Sequence, residues 1–130
     1  MKSSYKILIS EKLVLKKYQG IVTIHDMKTV FIEAKKLKES YPTFDMLNDY
    51  RHALFMFDKN DFVQLMQSFD RNNFPTTAKI FILSSPKQFV IYNFYKDTFK
   101  LYNTHVFSSL EASCSNNNFN LNVIQDFFGE

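Results

Sequence analysis

Glycine is the first thing this chain lacks, with two in 130 residues. Phosphate-cradling loops need several glycines at fixed spacing so that backbone can approach the ligand, and a nucleophile elbow needs them around a strained turn. Gly20 and Gly129 alone exclude both. Cysteine is nearly missing too. Cys114 has no second thiol to pair with, so the expected compartment is a reducing one, the cytoplasm. No apolar run approaches the roughly 18 residues of a membrane span. Met1-Lys2-Ser3-Ser4-Tyr5 lacks the apolar stretch of a secretion signal. Arginine occurs only as Arg51 and Arg71, too little clustered Arg for a typical nucleic-acid binder, and no nucleic-acid partner is expected.

What the chain has is aromatic mass: 15 Phe and 7 Tyr within a 45% hydrophobic composition. Burying each ring contributes on the order of 1.5 to 3 kcal/mol, enough for one domain over residues 1–130 with a real core. The net charge of +3 is unevenly spread, because nine of the lysines and only three acids fall in the first 38 positions. That asymmetry fits either a surface for an acidic partner or a solvated helix face.

Tyr5 to Ile9 and Leu13 to Tyr18 read as a hairpin across Ser10-Glu11-Lys12, with Gly20 breaking the pattern afterwards. Thr23 and Asp26 have capping spacing, and Ile24, Met27, Phe31, Ala34 and Leu37 make the apolar stripe of a helix ending near Tyr41, before Pro42. Phe44 to Arg51 is an inner strand with its polar end at the rim. Asp58 caps a second helix carrying Phe62, Leu65, Met66 and Phe69, which Asp70 to Pro75 closes. Ala78 to Leu83, apolar on both faces, is the central strand.

Ser85, Pro86 and Gln88 open a third helix as a capping box, with Phe89, Val90, Phe94 and one of Tyr92 or Tyr95 inward. Leu101 to Phe107 is the last strand. Ser108 with Glu111 opens a short helix, Ser115 to Asn118 is a polar break, and Leu121 to Phe128 adds a final apolar turn or two. Helices alternating with strands define an α/β fold. The expectation is a mostly parallel five-stranded sheet with an N-terminal antiparallel hairpin and about four helices.

This order resembles the STAS fold, that of sulfate-transporter and anti-sigma-factor-antagonist domains, and is closer to its small stand-alone bacterial proteins. The resemblance rests on Tyr18-Gln19-Gly20 closing the hairpin, Thr23 opening the first helix and Asn48-Asp49-Tyr50-Arg51 ending the third strand. The Ile80 to Pro86 turn and Phe107 to Ala112 add to it. It implies a regulatory, non-enzymatic protein-interaction domain that binds partners at the third-strand end and the following helix. In regulatory members a phosphorylatable Ser begins that helix in an Asp-Ser-Ser/Thr-Gly run. Asp49-Tyr50-Arg51-His52 stands at the matching place here, so no phospho-switch carries over.

The expected partner-binding residues are Asp49, Tyr50, Arg51, His52, Phe55, Phe57, Ser84, Ser85 and Pro86. Asp49 and Arg51 fit either a polar ligand group or a surface ion pair worth ~0 to 1 kcal/mol. Ser84 and Ser85 fit an anion at a helix N-terminus or a cap. Leu54 to Phe57 fits either a patch for a partner or a second copy, or a cover for the core. The many Phe residues also suit a small carrier of an apolar or lipid-like ligand. Catalytic chemistry is not expected. Asp45 and Asp49 would sit about 13 Å apart on one strand, and Cys114, which could pair with His105 as a nucleophile, reads instead as a small buried thiol. His25, His52 and His105 are scattered, so neither metal nor cofactor is expected.

Overall fold

The sheet runs β1-β2-β3-β4-β5 in both space and sequence, with the first pair antiparallel and the others parallel. The computed structural model describes residues 1–69 and 77–129, so the expected closure at Asp70 to Pro75 lies outside the described residues. In chain order the elements are β1 (Lys2–Leu8), β2 (Leu13–Val22), α1 (Ile24–Ser40), β3 (Asp45–Phe55) and α2 (Lys59–Gln67). They continue with β4 (Lys79–Ile82), α3 (Pro86–Phe99), β5 (Thr104–Phe107), α4 (Leu110–Asn117) and α5 (Leu121–Phe128). The α/β expectation holds, with five helices among the described residues where about four were expected, because Asn118 in a left-handed cap separates α4 from α5.

Right-handed crossovers that step one strand at a time in one direction deposit their helices on one face. Met27 and Val30 of α1, Phe62 and Met66 of α2, and Ile91, Tyr92 and Tyr95 of α3 accordingly share one cluster with Tyr18, Tyr50 and Phe81 of the sheet. The opposite face packs Leu13, Leu15, Leu47, Ile80 and Ile82 against Leu110, Cys114, Ile124 and Phe128 of α4 and α5. The strand order never reverses. Among the described residues the sheet therefore has no switch-point crevice of the kind that holds ligands in doubly wound sheets.

Several boundaries differ from those expected, each through pairing between distant segments. The hairpin loop has four residues, because Ile9 lies in the turn and Lys12 takes a left-handed φ of 52° while donating to Ile9 O. β2 does not stop at Tyr18. It passes through Gly20, whose φ of 86° glycine tolerates, and pairs Ile21 with Leu54 and Val22 with Phe55. That pairing carries β3 four residues past Arg51.

Between Lys17↔Asp49 and Gln19↔His52, β3 spends one residue more than β2, a β-bulge. The bulge flips the alternation, so Tyr50 faces the helices α1–α3 before it, and Ala53 and Phe55 do so after it. On α3 the buried face is Gln88, Ile91, Tyr92 and Tyr95, while Val90 is exposed. α4 is capped by Ser109, which accepts from Ala112 N, and not by Ser108.

Candidate functional site

The expected rim does form, with Arg51 and Ser84 meeting where the Ser84 hydroxyl donates to Arg51 O at 2.9 Å. Its groups, however, bind each other. Asp49 is buried, and both its oxygens accept from the Arg51 guanidinium at 2.9 Å, while Oδ1 also takes the Arg51 N–H at 3.0 Å. Beyond Asp49 the edge of β3 has no β4 partner, and the first turn of α3 substitutes for one.

The buried Gln88 amide donates to Tyr50 O and Ala53 O, each at 2.9 Å, and its oxygen accepts the Ser84 and Ser85 N–H groups. Lys87 Nζ reaches Phe55 O at 2.9 Å, and Ser85 Oγ caps the helix through Gln88 N. Ser84 and Ser85 are thus spoken for as turn and cap residues. His52 and Pro86 are exposed.

Three of the expected partner-binding side chains face inward. Tyr50, Phe55 and Phe57 are buried, with Phe55 stacked on Phe57 at 4.8 Å, edge-on to Tyr50 at 5.3 Å, and Phe57 stacked on Phe62 at 5.9 Å. For Phe55 the bulge is the cause, since it turns that ring toward the helices. Leu54 is turned outward by the same step. Ile21 (56% exposed) and its register partner Leu54 (58%), with Met56 (59%) just past the strand, form an apolar strip on the face that α4 and α5 leave uncovered. Gln19 and His52 flank it, and Lys2 lies opposite Gln19.

Among the described residues no group of three metal-ligating side chains occurs. Asp58 and Asp61 form the capping box of α2, and Asp45 accepts from Ala78 N. Cys114 is buried in the aliphatic layer.

A second cluster of buried polar atoms involves Tyr50 alone among the expected residues. On the face toward α1–α3, β2 presents Val14, Lys16 and Tyr18, and Lys16 is 1% exposed. Its ammonium stands 3.4 Å from Glu33 Oε1 of α1 and 5.4 Å from the centroid of the Tyr18 ring. The Glu33 contact is an ion pair but not an aligned hydrogen bond, and Lys16 Nζ has no hydrogen-bond partner among the described residues.

Tyr18 stacks on Tyr50 at 4.5 Å, and Tyr50 meets Tyr92 at 5.7 Å. The Tyr18 and Tyr92 hydroxyls are buried without an aligned partner, near enough to that of Tyr50 to perturb one another. Burial lowers the Lys16 pKa, with the charge of Glu33 opposing it, and burial raises all three tyrosines. The available signal was alternation: Leu13 and Leu15 claim one face of β2, which commits Lys16 to the other.

Comparison with protein-family models, curated proteins and solved structures finds no match for this chain.

Proposed function

We propose that the chain is a STAS-like regulatory interaction domain of the cytoplasm, without enzymatic activity, that binds a partner protein through the Ile21–Leu54–Met56 strip. The observation that carries this reading is the clustering of three large apolar side chains, each more than half exposed, on the part of the sheet face that α4 and α5 leave uncovered. The pairing and packing of the surrounding strands hold that face rigid.

Lys2 and His52 beside the strip, with the lysine-rich first third of the chain, favour a partner segment bearing apolar side chains flanked by carboxylates. The helix after β3 opens on Asp58, whose carboxylate already accepts the Asp61 N–H, so no hydroxyl stands there for phosphorylation. Binding is accordingly constitutive rather than switched at that helix.

Peptides selected from a displayed random library against the intact protein test this. Selected sequences should be apolar and acidic, and an Ile21→Ser/Leu54→Ser double variant should lose them while keeping the wild-type unfolding curve. Peptides that bind the double variant equally well would refute the assignment. A wild-type dimer that the same change converts to monomer would transfer the strip to a second copy of the chain.

A further inference from the structure

We propose that β1 is a dimerisation edge, at which two copies of the chain join β1 to β1 antiparallel about Tyr5 and merge their sheets into one. β1 ends the sheet, with no strand beyond it among the described residues. In an antiparallel pair alternate residues turn their N–H and C=O away from the neighbour, so the outer row of β1 can take another strand. Lys2 to Lys6 are exposed in succession, so neither helical layer reaches over this edge. The opposite edge, β5, has only four residues, none of them exposed.

Proteins blunt such edges with proline, a bulge or brevity. β1 has seven residues, no proline and an unbroken register with β2. What it carries instead is Lys2 and Lys6, and these select a register. A two-fold axis normal to the sheet keeps each face on its own side, so β1 can pair with itself only about a residue. Centring on Ser4 sets Lys2 against Lys6 of the second copy, and centring on Lys6 sets that lysine against its own mate. Like charges directly opposite are destabilising.

Centring on Tyr5, the midpoint of Lys2–Leu8, pairs the whole strand and avoids both clashes. Lys2 then faces Leu8, Ser4 faces Lys6, Ser3 faces Ile7, and the Tyr5 rings meet at the axis. Met1, just before the strand, comes to Ile9, just after it. The same register thus covers the large apolar side chains this edge leaves in water, Met1 (43% exposed), Tyr5 (52%) and Ile9 (65%). A foreign strand would need no such match between midpoint, lysine spacing and apolar pairs, whereas a self-complementary edge does. Seven paired residues a side fall short of the roughly 20 to 30 of a standard interface, so the dimer belongs to the weak, concentration-dependent class.

The proposal does not rest on the Ile21–Leu54–Met56 strip, and sedimentation velocity of the intact protein tests the two apart. Wild type should pass from monomer to dimer as its concentration rises. Tyr5→Lys, which sets two ammoniums face to face at an exposed position, should weaken the dimer about tenfold or more and keep the wild-type unfolding curve. Ile21→Ser/Leu54→Ser should leave the dimer unchanged. Mild oxidation reads the register. Tyr5→Cys brings two Cα atoms to about 4.5 to 5.5 Å, within disulfide reach, whereas Ser3→Cys leaves them about 13 Å apart along the strands. Cys114 is buried and does not compete. Covalent dimer should form from Tyr5→Cys and not from Ser3→Cys. A monomer at every concentration, a dimer that Tyr5→Lys leaves intact, or equal cross-linking of both cysteines would overturn the proposal. A dimer lost only in Ile21→Ser/Leu54→Ser would assign association to the strip and overturn it equally.

Discussion

On the face under α4 and α5 the sheet offers Leu13, Leu15, Leu47, Ile80 and Ile82, whereas under α1–α3 it offers Lys16, Tyr18, Asn48, Tyr50 and Phe81. The two sets alternate along the same strands, so backbone geometry cannot account for the contrast. One face is mainly aliphatic core, and its buried polar groups are paired, Asp49 with Arg51 and the Ser113 hydroxyl with Leu110 O. The other is an aromatic layer with polar atoms threaded through it, some of them without partners. The first face relies on apolar packing, and the second adds hydroxyls and an ammonium that must be satisfied within it.

The sharpest break of this comparison is at Phe55 and Phe57. A Phe55→Ser/Phe57→Ser variant removes two rings from the aromatic layer, at about 3 to 5 kcal/mol each, and should abolish cooperative unfolding by circular dichroism. Leu54→Ser/Met56→Ser, on interleaved positions facing water, should stay within about 0.5 kcal/mol per site. If both doubles unfolded alike, the bulge-driven division of β3 would be wrong.

Next in size is a truncation on each face. Leu47→Ala, fully buried in the aliphatic layer, should cost about 2 to 5 kcal/mol in a urea titration. Tyr92→Phe should be neutral or stabilising, since it removes a hydroxyl that lacks an aligned partner. A loss above about 1.5 kcal/mol for Tyr92→Phe would mean its hydroxyl makes a structural hydrogen bond after all.

Smaller again is the latch on each side. Gln88 ties the bulge of β3 to α3 with a buried amide, so Gln88→Ala strands the Tyr50 and Ala53 carbonyls and should cost about 1 to 3 kcal/mol. Lys17 Nζ holds Phe127 O at 2.7 Å across the opposite face, but water can replace it there. Lys17→Met should cost under about 1 kcal/mol. Amide exchange at Ala53 and Phe55 should rise in the Gln88 variant only.

How much of this could be read from sequence depends on how far apart the deciding residues lie. Thr23 with Asp26, Asp58 with Asp61, and Ser85 with Gln88 form the capping boxes their spacing announces, because each involves one turn of chain. Ile80 to Ile82 is central because a short run apolar on both faces has nowhere else to go. The length of β3 was not legible, since Val22 decides it from 33 residues away. The inward turn of Phe55 follows from that same pairing. Ser108 and Ser109 both suit a cap, and only the end of β5 at Phe107 selects the second. Lys16 was hidden by Lys17, since a tandem pair of lysines reads as solvated until the strand's two faces are separated.

The least dramatic difference between the faces is their response to pH, because the α1–α3 face holds buried lysines and tyrosines with resolved shifts. Burial and the charges of Lys38 and Lys16 lower the Lys79 pKa to about 8, and burial lowers Lys16. An unfolded lysine titrates near 10.4, so between about pH 8 and 10 the unfolded chain binds more protons than the folded one. Stability must then rise with pH through that window, where most proteins are already past their maximum.

The tyrosines act in the opposite sense. Burial raises Tyr18, Tyr50, Tyr92 and Tyr95, while their unfolded counterparts ionise near pH 10. Above about pH 10 the folded chain therefore keeps protons that the unfolded chain loses, and stability falls. Urea midpoints should peak between about pH 9 and 10, with a rise on the order of 1 kcal/mol after discounting for the solvent that reaches Lys79. Lys79→Met should flatten the rising limb, and a Leu47→Ala control should lower the whole profile without changing its shape. A wild-type profile level from pH 7.5 to 10 would place these lysines in contact with water, and the aromatic face would lose its distinction from the aliphatic one.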